Sequence, residues 1–469
     1  MKKMIALLLA VLMLSVTACQ LTPAEPSSEP SDSTSEISGK TDPEPRESGT
    51  QAGGPEESAA ETEPGSEEPV EDPQQADLSA FKFAFAEYIE QSMGERVKSY
   101  MVSPVSFQYA LGMLLAGADG ETKAQLLRAL GKDEVAFETE IQQLGLFITC
   151  FNERKAADRE AYDRLSPDEK MWTQEPSGSL RVADSVWKRE DFPDFLEEYE
   201  ERLAMYDAER FSFSGGDIIR RANDWVHEKT NGMIARILPD DFNTRDLVVL
   251  LMNALYYKNG WRYEFSGAPE AEFTALNGET VQKEFMASTE RYRYYRDDET
   301  ELVVVPMNDS VFMTFVLGST EDLERKIRSA AYQTVRVCIP KFEIESSFTD
   351  GELIDFLKIR GAVDVFDPDL ANLGKMIDLS AVDCNLYVDD ILQKTKIKLD
   401  ETGVEASAVT AILVNRATSV QDPEPVIQFT ADRPFHFLIH CCEVPTCGNT
   451  TEGELEIPRF ILFEGLLAE

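Results

Sequence analysis

Leu247-Val248-Val249-Leu250-Leu251-Met252-Asn253-Ala254-Leu255-Tyr256-Tyr257-Lys258-Asn259-Gly260-Trp261 is the stretch on which the fold turns. From Leu247 to Tyr257 every position but Asn253 is apolar. A half-exposed strand alternates apolar and polar residues, and an amphipathic helix spaces its apolar residues three and four apart. A run with neither period has no wet side. It predicts a strand covered on both faces, deep in a large sheet. An asparagine inside such a run needs hydrogen-bond partners, since an unpaired amide among apolar groups is costly.

Outward from this strand, helices and strands mix without regular alternation, and no internal repeat appears. Phe81, Phe85, Tyr88 and Ile89 make the apolar stripe of a first helix. Ser103-Pro104 is a helix start: the hydroxyl accepts an orphan amide, and proline at the first helical position loses nothing. That helix carries Tyr109, Leu111, Met113 and Leu114 and ends near Asp119-Gly120. Thr122 and Gln125 read as a capping box for the next helix, which stops at Gly131. Ile218 to Ile237 reads as helix with a break at Gly232. Strands are expected at 180–187, 302–305, 311–317, 334–339, 386–389, 394–399 and 435–441. The pattern predicts one large α+β domain and not a doubly wound α/β sheet.

Composition narrows the function. The 469 residues carry 86 acidic and 45 basic side chains, a net charge of −41, with 43% hydrophobic residues. That much apolar content supports a packed core, and that much negative charge argues against nucleic acid or an anionic membrane surface as partner. Among 3 histidines and 7 cysteines there is no CxxC pair, HExxH, GxSxG, Walker or GxGxxG string. His227 falls on a polar helix face, and His436 and His440 in an apolar strand, so no Ser/His/Asp triad is expected. The reading is a protein that is not an enzyme and holds neither metal nor cofactor. Cys150, Cys338, Cys384, Cys441, Cys442 and Cys447 show no spacing that specifies a disulfide, and small buried hydrophobes account for several of them.

The N-terminus reads as an address. Lys2 and Lys3 precede an apolar run from Met4 to Val16, the length of a signal core and short of a membrane span. Val16-Thr17-Ala18-Cys19 resembles the lipobox of bacterial lipoproteins. That resemblance implies a signal peptide over 1–18, palmitate-type acylation of Cys19 and anchoring to the outer, extracytoplasmic face of a bacterial cell membrane. The alternative is ordinary secretion to an extracellular location. Residues 20–78 hold 16 acidic and 2 basic residues amid Pro, Ser, Thr and Gly, so 19–78 is expected to be a disordered, self-repelling tether. Removing that −14 and the +2 of the signal lysines from −41 leaves −29 for the globular part, 79–469.

Within 79–469, ordered motifs resemble the serpin family. Ser103-Pro104-Val105-Ser106 with Gly117-Ala118-Asp119-Gly120-Glu121-Thr122 is similar to its SPxS … GAxGxT segment. Asn223-Asp224-Trp225-Val226 … Thr230-Asn231-Gly232-Met233-Ile234 is similar to its NxWVxxxTxGxI helix. Asn253-Ala254-Leu255-Tyr256-Tyr257-Lys258-Asn259-Gly260-Trp261 is similar to its NAxYFKGxW strand, and Asp400-Glu401-Thr402-Gly403-Val404-Glu405-Ala406-Ser407-Ala408-Val409-Thr410 to its hinge. Arg433-Pro434-Phe435 and Leu462-Phe463-Glu464-Gly465 follow in family order.

The resemblance implies a serpin fold of three β-sheets and about nine helices with an exposed reactive-centre loop. It also implies a monomeric serine protease inhibitor, an endopeptidase inhibitor acting as suicide substrate: the loop is cut, the acyl-enzyme is trapped, and the loop inserts as a strand. Cysteine-type proteases are a further target class. The hinge residues agree with it locally. A strand that inserts must show small or apolar side chains inward at period two. From Val404 the alternate residues Ala406, Ala408, Thr410, Ile412 and Val414 are uncharged, and Gly403 before them permits a pivot.

In most of the family the scissile bond follows the seventeenth residue counted from the hinge glutamate, so the resemblance implies Ala417–Thr418, suited to an elastase- or subtilisin-like protease. A hinge one residue shorter puts it at Arg416–Ala417, suited to a trypsin-like one. Ser103, Ser106 and Asn253 match the family's shutter and Trp261 its breach, with plain core packing the alternative for Trp261. Gln393 stands where most members carry a shutter histidine, Glu464 replaces an apolar residue, and polar insertions fall at 155–179 and 441–457. The competing function is a non-inhibitory surface protein that binds a ligand or is merely cleaved.

Overall fold

The computed structural model of the protein describes residues 78–469 apart from 95–96, 174, 246, 350, 382–383, 405–424 and 442–459. Six strands form the sheet that matters most, in the order β12 (Phe342–Phe348), β13 (Gln393–Asp400), β14 (Gly403–Val404), β4 (Val249–Gly260), β2 (Gly178–Arg189), β3 (Glu209–Phe213). A nine-stranded sheet joins β1 (Tyr100–Val102), β17 (Phe460–Leu467), β16 (Phe435–Cys441), β10 (Val311–Gly318), β9 (Thr300–Pro306), β8 (Phe285–Arg296), β11 (Ala331–Pro340) and β15 (Ile427–Thr430), with β5 (Ser266–Gly267) against β8. A third, two-stranded sheet pairs β6 (Ala271–Thr274) with β7 (Thr280–Lys283). Only β2–β3 and β11–β15 run parallel among the ladders. Nine α-helices accompany these three sheets among the described residues, an α+β fold as expected.

β4 is covered on both faces, as its composition requires. Leu250, Met252 and Ala254 pack with Trp187, Phe213 and the residues Ile218, Ala222 and Val226 of helix α7 (Asp217–Lys229). Leu255 and Tyr257 belong to the main core on the opposite face, with helices α1 (Leu78–Met93) and α2 (Pro104–Gly117). α2 is buried at every position but Ala110, so it serves as the central pillar of the molecule. Its start is the expected one: the Ser103 hydroxyl accepts from Ser106 N at 3.2 Å, with Pro104 in the first turn. In α1, Phe85 and Ile89 are fully buried.

Three local expectations are corrected. Thr122 and Gln125 do not cap helix α3 (Gly120–Leu130): Thr122 Oγ1 accepts from Asn372 N, and Gln125 Oε1 from the amides of Val363 and Asp364. Both side chains tie down distant loops, a use that tertiary contact decides. α3 does end at Gly131, whose φ of 66° is left-handed. α7 stops at Lys229 and does not reach Ile237, because Asn231 and Gly232 both turn left-handed and Thr230 Oγ1 takes the amide of Ile234. Leu386–Asp389 is not a strand but an irregular segment flanking an apolar cavity beside β4.

The polar insertion continues helix α4 (Glu134–Asp163) by two turns and adds a short helix α5 (Pro167–Lys170). Helices α6 (Glu197–Leu203), α8 (Leu323–Ser329) and α9 (Glu352–Ile359) complete the set. Cys150 and Cys441 are buried, Cys338 is half-buried and Cys384 exposed, while Cys19, Cys442 and Cys447 lie outside the described residues.

Within the nine-stranded sheet, β17 is crowded by both of its neighbours at Gly465. A Cβ there would stand 2.2 Å from the Tyr100 carbonyl oxygen of β1 and 2.9 Å from the Phe437 ring. Gly465→Ala should therefore lower stability by about 1–3 kcal/mol, the usual cost of overpacking, read as a lower midpoint in urea unfolding.

Candidate functional site: a strand slot and its polar latch

β4 and β13 run side by side, yet among the described residues no ladder joins them directly; β14, two residues long, is the strand between. Val404 pairs with Leu399 on one side and Asn259 on the other, and Gly403 with Asp400 and Gly260. With Gly178 opposite Asn259 and Phe342 opposite Leu399, one continuous rung crosses β2, β4, β14, β13 and β12. Gly403 is required here. Its φ is +147°, and a Cβ would fall 2.2 Å from the Asn259 carbonyl oxygen.

The turn that delivers β14 is held from several sides. The Thr402 amide and hydroxyl both bond Asp400 Oδ1, at 2.9 and 2.7 Å. Trp261 N donates to Thr402 O at 3.0 Å, Phe265 N to Glu401 O at 2.9 Å, and Trp261 Nε1 to Asp400 O at 3.0 Å. Trp261 is fully buried against Phe265 and Phe315, so it is both core packing and the clasp of this turn. Lys341, between β11 and β12, pairs with Glu284 and, at 3.2 Å, with Glu401. The bonds to Glu284 and then Glu401 raise its pKa.

Beneath the slot lies a relay of buried polar groups. Gln393, first residue of β13, accepts from Ser103 N with Oε1 and donates to Ser103 O with Nε2, both at 3.0 Å. The Ser103 hydroxyl accepts from Ser106 N and donates to Leu462 O. Ser106 Oγ donates to Asn253 Oδ1, and Asn253 Nδ2 donates to Asp184 Oδ1 at 2.7 Å. Asp184 faces Asn253 across the β2–β4 ladder. The expected shutter residues Ser103, Ser106 and Asn253 thus come together. Gln393 fits among them without a histidine because its amide both donates and accepts.

Asp184 is the member that sequence reading missed, as one acid inside an expected strand. It is 2% exposed and its Oδ2 has no partner. Burial pushes its carboxyl up to about 8, opposed by the Asn253 bond and helped by Asp207. The signal available was the alternation of β2, which puts Asp184 on the same strand face as Leu180, Val182 and Val186.

Elsewhere, Glu464 is buried with Oε1 unpartnered, and burial drives its carboxyl well above the usual range. His440 contacts Thr314 Oγ1 at 2.8 Å, and burial pushes its pKa down to about 3. His436 pairs with Glu90. No cluster of three or more His, Cys, Asp or Glu fit to hold a metal occurs among the described residues. Glu401, Gly403 and Val404 stand at the slot; Ala406, Ala408, Thr410, Arg416, Ala417 and Thr418 lie outside the described residues.

A mixed α+β fold of three sheets, with the two-residue strand β14 seated between β4 and β13 of the six-stranded sheet among the described residues, defines the class of protein. Residues 79–443 match the serpin (serine protease inhibitor) family, and the chain belongs to it. It is 27% identical to Serpin-Z2B of Triticum aestivum over 392 residues, 78% of this chain and 92% of that protein. Serpin48 of the insect Tenebrio molitor superposes with a TM-score of 0.61 at 22% identity, over 86% of this chain and 99% of that one. Human thyroxine-binding globulin complexed with thyroxine superposes with a TM-score of 0.63 at 19% identity, over 84% of this chain and 97% of that one. Both likenesses speak to the fold.

Gln393→Ala should strand the Ser103 amide and carbonyl in the core. At about 1–3 kcal/mol for each orphaned group, thermal unfolding should shift clearly downward, whereas Gln393→His should lose less.

Proposed function

We propose that the protein inhibits serine-type endopeptidases, and cysteine-type ones as a further class, by offering the loop from Glu401 to Phe429 as bait and inserting the cut segment behind Val404. The observation that carries this is the register of β14. Continued two residues at a time, it sets Ala406 opposite Tyr257 and Ile397, Ala408 opposite Leu255 and Thr395, and Thr410 opposite Asn253 and Gln393. On insertion, small side chains would meet rungs that are apolar but for Thr395, and the threonine hydroxyl would come beside the polar relay. Further along, residues 410–416 would come opposite 247–253 and 387–393, of which 247–253 and 387–392 line a mainly apolar cavity of about 300 Å³. The slot thus continues as open apolar space for about as long as the uncharged inward series lasts.

Insertion would add one strand's ladder bonds and bury its apolar face, the free energy with which a cut loop carries off an acylated protease. The bond cut is Ala417–Thr418, with Arg416–Ala417 the alternative. On this reading the protein works as a monomer, exported and held by acylated Cys19 on the outer face of a bacterial membrane, where proteases are met. The fold is also that of thyroxine-binding globulin, so the rival is a serpin-shaped binding protein or simple substrate. The uncharged register of the hinge favours the inhibitor.

Mixing the protein with pancreatic elastase, subtilisin and trypsin separately should give, with at least one, an SDS-resistant band of the summed mass. Mass spectrometry of the released C-terminal fragment should start at Thr418 or Ala417. Ala408→Arg should abolish the band while leaving cleavage intact, because a guanidinium would be driven against Leu255 without a counter-charge. Cleavage by all three enzymes with no adduct and no gain in heat resistance would refute the inhibitor reading.

A further inference from the structure

The polar relay spans the very strands that must part. From Asp184 on β2 it passes to Asn253 on β4, to Ser106 and Ser103 at the head of α2, and to Gln393 on β13. Its side chains are serine, asparagine, glutamine and a single acid. Asp184 is thus the one member whose hydrogen-bonding character changes with protonation. It meets Asn253 from β4 and lies near Tyr109 of α2 and near Tyr206 and Asp207 of the turn after α6. None of these is a cation, so no neighbour among them compensates a charge on Oδ2.

We propose that Asp184 is a positioning residue for loop insertion, acting through Asn253: protonated, it keeps the sheet latched, and ionised, it loosens the latch. This rests on the insertion reading above and adds its control. A neutral carboxyl is tolerated in the core, whereas a carboxylate with a dry, unpartnered oxygen is relieved only when strands move apart and water enters. Burial places the titration near pH 8, within reach of ordinary surroundings. The sign follows from linkage. The native carboxyl holds a proton that the unfolded chain releases near pH 4, so this contribution to stability is full below that pH. It falls as pH rises from about 4 to about 8 and then levels off.

The test uses the mature protein in a Glu464→Gln background, which removes the other buried carboxyl pushed upward. A labelled synthetic peptide copying residues 404–414 is added to the intact protein, and its annealing rate is followed from pH 6 to 9.5. The rate should rise roughly tenfold between pH 7 and 9 with Asp184 present, and be flat in Asp184→Asn, which keeps the bond to Asn253 without the charge. Infrared titration of the Glu464→Gln protein should show a protonated-carboxyl stretch that vanishes across the same range, a readout that needs no second variant. A slope unchanged by Asp184→Asn, or no such stretch at pH 7, would overturn the proposal. Neither measurement involves a protease, so missing adducts count only against the inhibitor reading.

Discussion

Two strands, β4 and β13, lie at the centre of a sheet, and two residues of a third stand between them. Interior strands satisfy their backbone donors and acceptors through neighbours on both sides. Among the described residues, the Gly403–Val404 rungs are what joins β4 to β13. Everything else at the site serves this constraint: the turn that presents Gly403, the ring of Trp261 that covers it, and the relay that holds the strands below.

The two ends of the slot are built from different physics. At the top, approach is set by sterics. Gly403 lies so near the β4 backbone that a side chain is excluded, and the turn is held at three carbonyls, those of Asp400 and Thr402 by the Trp261 indole and amide and that of Glu401 by the Phe265 amide. At the shutter, hold is polar and dry. Buried amides and hydroxyls bind only where every partner is in place, so the relay is rigid when complete and fails as a unit. Asp184 makes it incomplete by one oxygen.

How much of this the chain reveals by inspection varies with range. The buried strand around Asn253, the Ser103-Pro104 helix start and the Gly131 stop were legible, because each depends on a residue's own conformational or solvation preference. Thr122 and Gln125 misled, since a side chain able to cap a helix is equally able to hold a loop from 240 residues away in sequence. The stretch after Lys229 misled too: its apolar residues keep helical spacing, but Asn231 and Gly232 turn left-handed, and Ile234, Ile237 and Leu238 reach the core from outside the helix. Leu386–Asp389 has strand composition, yet its apolar residues line a cavity wall.

By itself, the sequence determined which segments avoid water and which residue could pivot, since hydrophobicity and backbone freedom are properties of single residues. That was enough for the α+β class, the pivot at Gly403 and the buried polar positions Ser103, Ser106 and Asn253. Only the tertiary structure decided that Asp184 meets Asn253, that Gln393 reads both backbone groups of Ser103, and that Lys341 pairs with Glu401. These contacts join residues tens to hundreds of positions apart, and their free energy exists only once the intervening chain has folded and water has been excluded around them.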